Sequence, residues 1–326
     1  MARADIYGGN EVIFVDTGIT SNAVREAPLV NAIDERAGFR LQTAEPKLID
    51  TADIIIMHTG AIDNWIVKNQ TPLIWVVHGR PLACFRPETQ GKGESYSLYA
   101  DVSSWKRTKK MLYFWQEFTP HWQPIFNGKD LILDYPVIDE TRFCNVGDKH
   151  KFGNHGKYNI LVCDSQREDI DLYEMVVGLL HACEKYPGMK IHFYGFDMPI
   201  PNCWNILLGK LKDIGGLGDL SGRVTNMELV YRACDCLISP NRIITRTIGE
   251  ALNCGIPIIS QNNPYNMVSD YTCDMSNPDD VLEAISLFVR DFDNKMIDKQ
   301  AIIERSKVFN MANYSKRMNE IYKEVI

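Results

Sequence analysis

The chain has 326 residues, more than one hydrophobic core usually organises, and is read as two domains of roughly 150 residues each. Its 45% hydrophobic and 24% charged residues are ordinary for a soluble globular enzyme, and a net charge of −7 gives no global drive toward nucleic acid or anionic membrane. Any such partner would need a local basic patch. Nine cysteines, an odd count without a Cys-x-x-Cys pair, favour reduced and mostly buried thiols over a disulfide framework. No apolar run reaches the roughly 18–20 residues that span a bilayer. The opening Met1-Ala-Arg-Ala-Asp5 has no apolar signal core. The expectation is a soluble, cytoplasmic protein, in the host cytoplasm if the chain is of phage origin.

Short apolar runs alternate with helical patterns along the chain, the mark of parallel sheets built from βαβ units. In the first half the runs are Val12–Val15, Asp53–Met57 and Leu73–Val77. Each ends in a small or polar turn: Asp16-Thr17-Gly18, His58-Thr59-Gly60 and His78-Gly79-Arg80-Pro81. A helix is expected from Ser21 to Ala37, with Gly38 at its exit.

Polar residues at the carboxyl ends of parallel strands line the crevice of open α/β sheets, which makes His78 a candidate site residue. A core histidine satisfied by backbone is the alternative. Farther on, Ser103–Trp115 sets Lys106, Arg107, Lys109 and Lys110 among Trp105, Tyr113, Phe114 and Trp115. Basic residues interleaved with aromatics suit a phosphate-bearing or single-stranded acceptor, or a membrane surface. The other reading is an amphipathic helix with Met111, Leu112, Phe114 and Trp115 packed inward and its lysines in water.

The segment Asp134–Phe143 and the polar stretch 145–157 read as a linker. The pattern then restarts: strand Asn159–Cys163, helix Asp169–Tyr186 ended by Pro187-Gly188, strand Lys190–Tyr194 closed by Gly195, and helix Met227–Cys234. Thr225 and Glu228 have capping-box spacing for that last helix. A helix from about Asp279 to Arg290 follows Ser276-Asn277-Pro278, with proline in its first turn.

Between these lies the most informative stretch, Leu237-Ile-Ser-Pro-Asn-Arg-Ile-Ile-Thr-Arg-Thr-Ile-Gly-Glu250-Ala-Leu-Asn-Cys-Gly255-Ile-Pro257-Ile-Ile-Ser260. A strand, Cys236–Ser239, runs through a polar loop into a short helix opening near Thr247. The helix stops at Gly255, and a buried strand follows Pro257. Such a unit aims helix-start N–H groups at whatever lies beyond the strand end, a natural place for phosphate.

The stretch resembles the donor-sugar signature of glycosyltransferase family 4 and its GT-B relatives, "Pro-Ser…Glu…Glu-Ala-Met-Ala-x-Gly-x-Pro-Val-Ile". The likeness is strong over 220–262, moderate over 134–195 and weak before residue 70. It implies an α/β GT-B fold: two Rossmann-like domains facing a cleft, with a C-terminal helix crossing back to the first. The domains would be residues 1–135 (acceptor side), a linker at 136–157, residues 158–305 (nucleotide sugar) and the crossing helix 306–326.

The resemblance also assigns roles. Glu250 would accept hydrogen bonds from the nucleotide ribose; the alternative is a capping box with Thr247. Arg242 stands where the family has its first glutamate, so the family's hexose contacts carry over poorly. Arg246, Thr247 and Gly249 open the signature helix, where a guanidinium and helix-start amides suit a diphosphate. Arg167, with Ser165 beside it, stands for half of the family's Arg-x-x-x-x-Lys pair. The lysine is missing, and a surface role among acidic neighbours is equally open. His78 matches the family's acceptor-face "Thr-Val-His", and Gly18 its first glycine turn.

The implied activity moves a sugar from a nucleoside diphosphate, most simply UDP, to a hydroxyl acceptor, with retention and without metal or other cofactor. The acceptor would be a saccharide or a modified DNA base. A sugar-nucleotide epimerase of the same fold and a non-catalytic nucleotide- or sugar-binding module are the alternatives. No Gly-x-x-x-x-Gly-Lys-Ser/Thr motif occurs, and the triplets Asp169–Asp171 and Asp291–Asp293 read as surface acids at helix ends.

Overall fold

The computed structural model describes residues 53–58, 71–77, 108–114, 116, 119–124, 131–166, 170–262 and 268–326. The chain forms two compact units, Met1–Tyr135 with Tyr314–Ile326, and Pro136–Asn313. The expected strand at Val12–Val15, the helix at Ser21–Ala37 and residues Gly18, His78, Trp105, Lys106, Arg107 and Arg167 lie outside the described residues.

The first unit holds a parallel sheet in the order β1 (Ile55–His58), β2 (Leu73–Val77), β3 (Thr108–Tyr113), β4 (Leu131–Leu133). β2 is buried along its whole length, as an uninterrupted Leu-Ile-Trp-Val-Val run requires when both faces are covered. A short helix, α1 (Thr119–Trp122), follows β3 and buries Trp122.

The segment expected as an amphipathic helix is instead β3. Its side chains therefore alternate between the faces of a pleat: Lys109 is exposed, whereas Lys110 is buried and its Nζ lies 2.8 Å from Glu324. Glu324 lies on the last helix, α8 (Met311–Val325), whose residues from Tyr314 onward belong to this unit. The same helix covers the buried carboxylate of Asp134: Tyr314 donates its hydroxyl to it at 3.0 Å, and Arg317 pairs with it. The Arg317 guanidinium also lies over the Tyr314 ring, 5.0 Å from its centre.

The second unit contains six strands and the helices between them. They are β5 (Tyr158–Cys163), α2 (Leu172–Lys185), β6 (Met189–Tyr194), α3 (Asn202–Asp213), β7 (Leu217–Ser221), α4 (Met227–Ala233), β8 (Cys236–Ser239), α5 (Arg246–Asn253), β9 (Ile258–Gln261), β10 (Tyr271–Cys273), α6 (Pro278–Asp293) and α7 (Lys299–Ser306). All strand pairs are parallel, in the order β10-β9-β8-β5-β6-β7. The chain leaves β5 toward one edge through β6 and β7, then returns to β8 and builds the other half. That reversal puts the topological switch point between β5 and β8, where open α/β sheets bind ligands beyond the strand ends.

The apolar face of α2 (Leu172, Met175, Val176, Leu179) and that of α6 (Val281, Ile285, Phe288) pack into the core around Ile160, Val162, Ile191 and Phe193. The cap of α6 is as its sequence reads: Asn277 accepts from the Asp279 amide at 3.1 Å, and proline holds the first turn.

The linker segment is fastened to α4. Arg142 donates through Nε to Glu228 at 2.9 Å and also bonds the Thr225 carbonyl, while Arg232 donates to the carbonyls of Cys144 (2.8 Å) and Arg142 (2.8 Å). This replaces the expected Thr225–Glu228 capping box: the N-cap is Asn226, without a side-chain cap, and Glu228 serves the linker arginine. Farther along, residues 150–157 lie against β6 and β7. Asp219 accepts from the amides of Gly153 and Asn154, and the Phe152 ring stacks on His192 with centroids 3.7 Å apart. Among the described residues no helix is long and apolar enough to cross a membrane.

Candidate active site

At the switch point the carboxyl ends of β5 and β8 are tied together by side chains. The Asn241 amide donates to Ser239 Oγ at 3.1 Å and bridges to the Asp164 carboxylate, which also accepts from the Ser165 amide at 3.2 Å. Gln166 accepts from the Asp197 amide at 2.7 Å, while its own buried Nε2 has no hydrogen-bond partner among the described residues. Ser165 thus stands just past the end of β5, beside the carboxylate of Asp164.

From β8 the loop turns into α5. The N-cap residue is Thr245, and no side chain caps the helix; Thr245 and Thr247 hydroxyls bond each other at 2.7 Å. The Thr247–Glu250 capping box, the alternative to a ribose contact, does not form: the N-cap is Thr245, two residues earlier, and Glu250 accepts from Arg246 and Tyr231. Among the described residues the first-turn amides of α5 therefore have neither a helical nor a side-chain acceptor, the arrangement that favours an anion.

Glu250 is buried on the second turn. Arg246, one turn earlier, donates Nε to Oε1 at 2.6 Å, and Tyr231 of α4 donates its hydroxyl to Oε2 at 3.1 Å. Burial raises the carboxyl above its ordinary range, and the Arg246 guanidinium opposes that shift. A carboxylate offers about four acceptor positions, so the two donors found among the described residues leave two of them unused by those residues. Arg246 is 57% exposed, and its terminal nitrogens make no hydrogen bond among the described residues.

Around this acid the thiols are inert. Burial pushes Cys163, at the end of β5, up to about 12, and the Tyr231 phenol well above its usual value. Neither is a nucleophile or base near neutral pH.

Three further candidates are placed. Arg242 stands on the β8–α5 loop with its guanidinium 3.6 Å from Asp171, at the start of α2. Hydrogen bonds from Ser276 chiefly lower Asp274, and Arg242 adds slightly to that lowering. Its charge is thus partly balanced by acids. Gly249 lies on the back of α5, where an added Cβ would come within 2.8 Å of Ile138 and 3.7 Å of Phe309. Lys110 is engaged with Glu324, which leaves Lys109 as the exposed described residue of the basic cluster.

Reading the sequence missed Tyr231, Asn241 and Asp164. The one available signal was a tyrosine on the buried face of a helix, whose hydroxyl must find a partner. Among the described residues no group of three or more His, Cys, Asp or Glu is arranged to hold a metal ion.

Similar folds occur in solved glycosyltransferases. One from Rickettsia africae ESF-5 superposes with a TM-score of 0.67 at 13% identity, over 99% of this chain and 93% of that one. Anabaena HepE, solved with UDP and glucose, gives 0.61 at 13% identity, over 96% and 86% of the two chains. The lipopolysaccharide outer core galactosyltransferase WaaB gives 0.56 at 11%, over 86% and 78%. The chain has the GT-B fold. No protein-family model and no curated protein matches the sequence, so its likeness to family 4 rests on the motif alone.

Proposed function

We propose that the protein is a glycosyltransferase that takes a sugar from a nucleoside-diphosphate donor, UDP-linked, and passes it to a hydroxyl acceptor. The observation that carries this reading is Glu250: a buried carboxylate beside the switch point, with a donor on each oxygen and two acceptor positions unused. Vicinal ribose hydroxyls have the matching pair of donors. Uncapped first-turn amides and the exposed Arg246 guanidinium, one turn away, suit the diphosphate. The GT-B fold and the UDP and glucose bound by HepE are consistent with it.

In the reaction the bond between the anomeric carbon and the diphosphate oxygen breaks as the acceptor oxygen bonds the same carbon from the same face, which retains configuration. The departing diphosphate takes the acceptor proton. Arg246 and the α5 amides meet the charge that grows on the leaving group, a role a divalent cation fills in other transferases. Arg167, Gly18, Ser165 and Thr247 are assigned to the donor and His78 to the acceptor side, by motif. The acceptor is a saccharide or a modified DNA base; Trp105, Lys106, Arg107 and Lys109 are the residues for the latter.

Mass spectrometry of nucleotide co-purifying with the protein, followed by UDP release from a panel of UDP-sugars, tests this reading. UDP release that requires an acceptor supports the transferase. Epimer formation without an acceptor would make the protein an epimerase, and binding without turnover would make it a binding module.

A further inference from the structure

The reaction as proposed uses Glu250 and Arg246 but not the residue that holds Glu250 from behind. Tyr231 lies in the last turn of α4 with no exposed surface. Its ring meets Phe143 edge to face, with centroids 6.1 Å apart, and Phe143 lies under the Arg142 guanidinium at 5.0 Å. Arg142 is itself fixed to Glu228 on the same helix. The phenol reaches the Cys163 sulfur at 3.9 Å and Glu250 Oε2 at 3.1 Å.

We propose that Tyr231 is a positioning residue for the nucleotide: its hydroxyl fixes the Glu250 carboxylate so that the two remaining acceptor positions meet the ribose hydroxyls. This rests on reading Glu250 as the ribose contact. Of the two donors to that carboxylate, Arg246 is on an exposed, flexible stem, whereas Tyr231 is enclosed on all sides. The rigid donor sets the plane, and the mobile one follows it. Burial keeps the phenol protonated, so it always donates. A mobile carboxylate would pay an ordering cost each time it received a ribose; a held one does not. Tyr231 touches no substrate in this account and acts only through Glu250.

The test compares UDP with 2′-deoxy-UDP by calorimetry. Wild type should prefer UDP by roughly tenfold, the value of one hydrogen bond to a charged group. Tyr231→Phe should shrink that preference by at least about threefold while the weaker ligand changes little. A loss of affinity for both nucleotides by the same factor would mean a purely structural role and overturn the proposal. A wild type that binds the two equally would remove the ribose reading of Glu250 itself, and the proposal with it.

A second measurement needs no Tyr231 variant: the ring Cζ resonance of Tyr231 should move on Glu250→Ala. An unmoved resonance would overturn the contact even if Tyr231→Phe does not fold.

Discussion

Arg246 and Glu250 stand one turn apart on α5, with Nε of the first 2.6 Å from Oε1 of the second. The basic residue therefore does two things at once. Its charge opposes the upward shift that burial imposes on the Glu250 carboxyl, and its terminal nitrogens make no hydrogen bond among the described residues. The first two predictions separate these roles.

Glu250→Gln keeps the side chain's shape and removes its charge. UDP affinity should fall by about 1–3 kcal/mol, the range for hydrogen bonds to charged groups. Thermal unfolding should change little, because the amide still accepts from Tyr231. Unchanged UDP affinity by calorimetry would reduce Glu250 to a packing acid.

Arg246→Ala should lower turnover by about 10²-fold, the usual cost of losing a donor to charge that develops in the transition state. It should also weaken UDP binding more than uridine binding. Equal losses for UDP and uridine would show that Arg246 serves only to hold Glu250.

In the proposed reaction Arg246 and backbone amides would take the place of a cation at the diphosphate, so chelation should leave turnover intact. Activity lost in EDTA and restored by manganese or magnesium would contradict this.

His192 should make the fold acid-sensitive. It accepts the Asp219 amide through Nδ1 at 3.0 Å and faces Asn159 through Nε2 at 3.2 Å, beneath Phe152. Burial lowers it from 6.5 to about 4; neighbouring His155 and His150 add to the shift, and Asp219 opposes it. The unfolded chain thus takes up this proton first as the pH falls below 6.5, so stability is lost down to about pH 4. Between pH 7 and pH 5 the loss from this group is about 2 kcal/mol. His192→Gln should remove that part of the pH dependence in urea titrations; an identical slope in the variant would refute it.

Arg317→Leu should destabilise the first unit by about 3 kcal/mol at neutral pH, because it strands the buried Asp134 carboxylate. Burial already raises Asp134, and losing Arg317 raises it further. The penalty should therefore shrink on acidification as Asp134 takes up a proton. A cost independent of pH would point to lost packing instead.

Much of the second unit was legible because its strands are short apolar runs between clear punctuation. Cys236–Ser239 matches the sequence reading, as does Leu73–Val77 in the first unit, and Gly255, at φ +72, ends α5 as expected of a residue past a helix end. The Lys109–Lys110 pair misled because adjacent charges fit a helix surface. Only the sheet shows that one of them is buried and answered by Glu324, more than two hundred positions along the chain.

The capping-box spacings at Glu228 and Glu250 come to nothing for a related reason. Both Glu228 and Glu250 have the right spacing, yet an arginine reaches each carboxylate and outcompetes a neutral backbone amide. Tyr231 and Asn241 were invisible because their partners lie in other elements. Nothing local to a helix or loop names Cys163, Glu250 or Asp164 as the neighbour.

The packing behind α5 bears on how the site can be altered. With Ile138 and Phe309 filling the space where a side chain at 249 would grow, the helix that carries Arg246 and Glu250 sits in a fitted seat. Ile138 and Phe309 are themselves joined by a 2.8 Å backbone hydrogen bond, so the seat is built from the beginning and end of the second unit's chain. Engineering donor preference through the loop before α5 should therefore be tolerated far better than through the helix itself. Even one methyl at position 249 would press on Ile138 and displace it or the helix, so under the proposed function new specificity in this scaffold would run through Arg242 and its neighbours while leaving Gly249 alone.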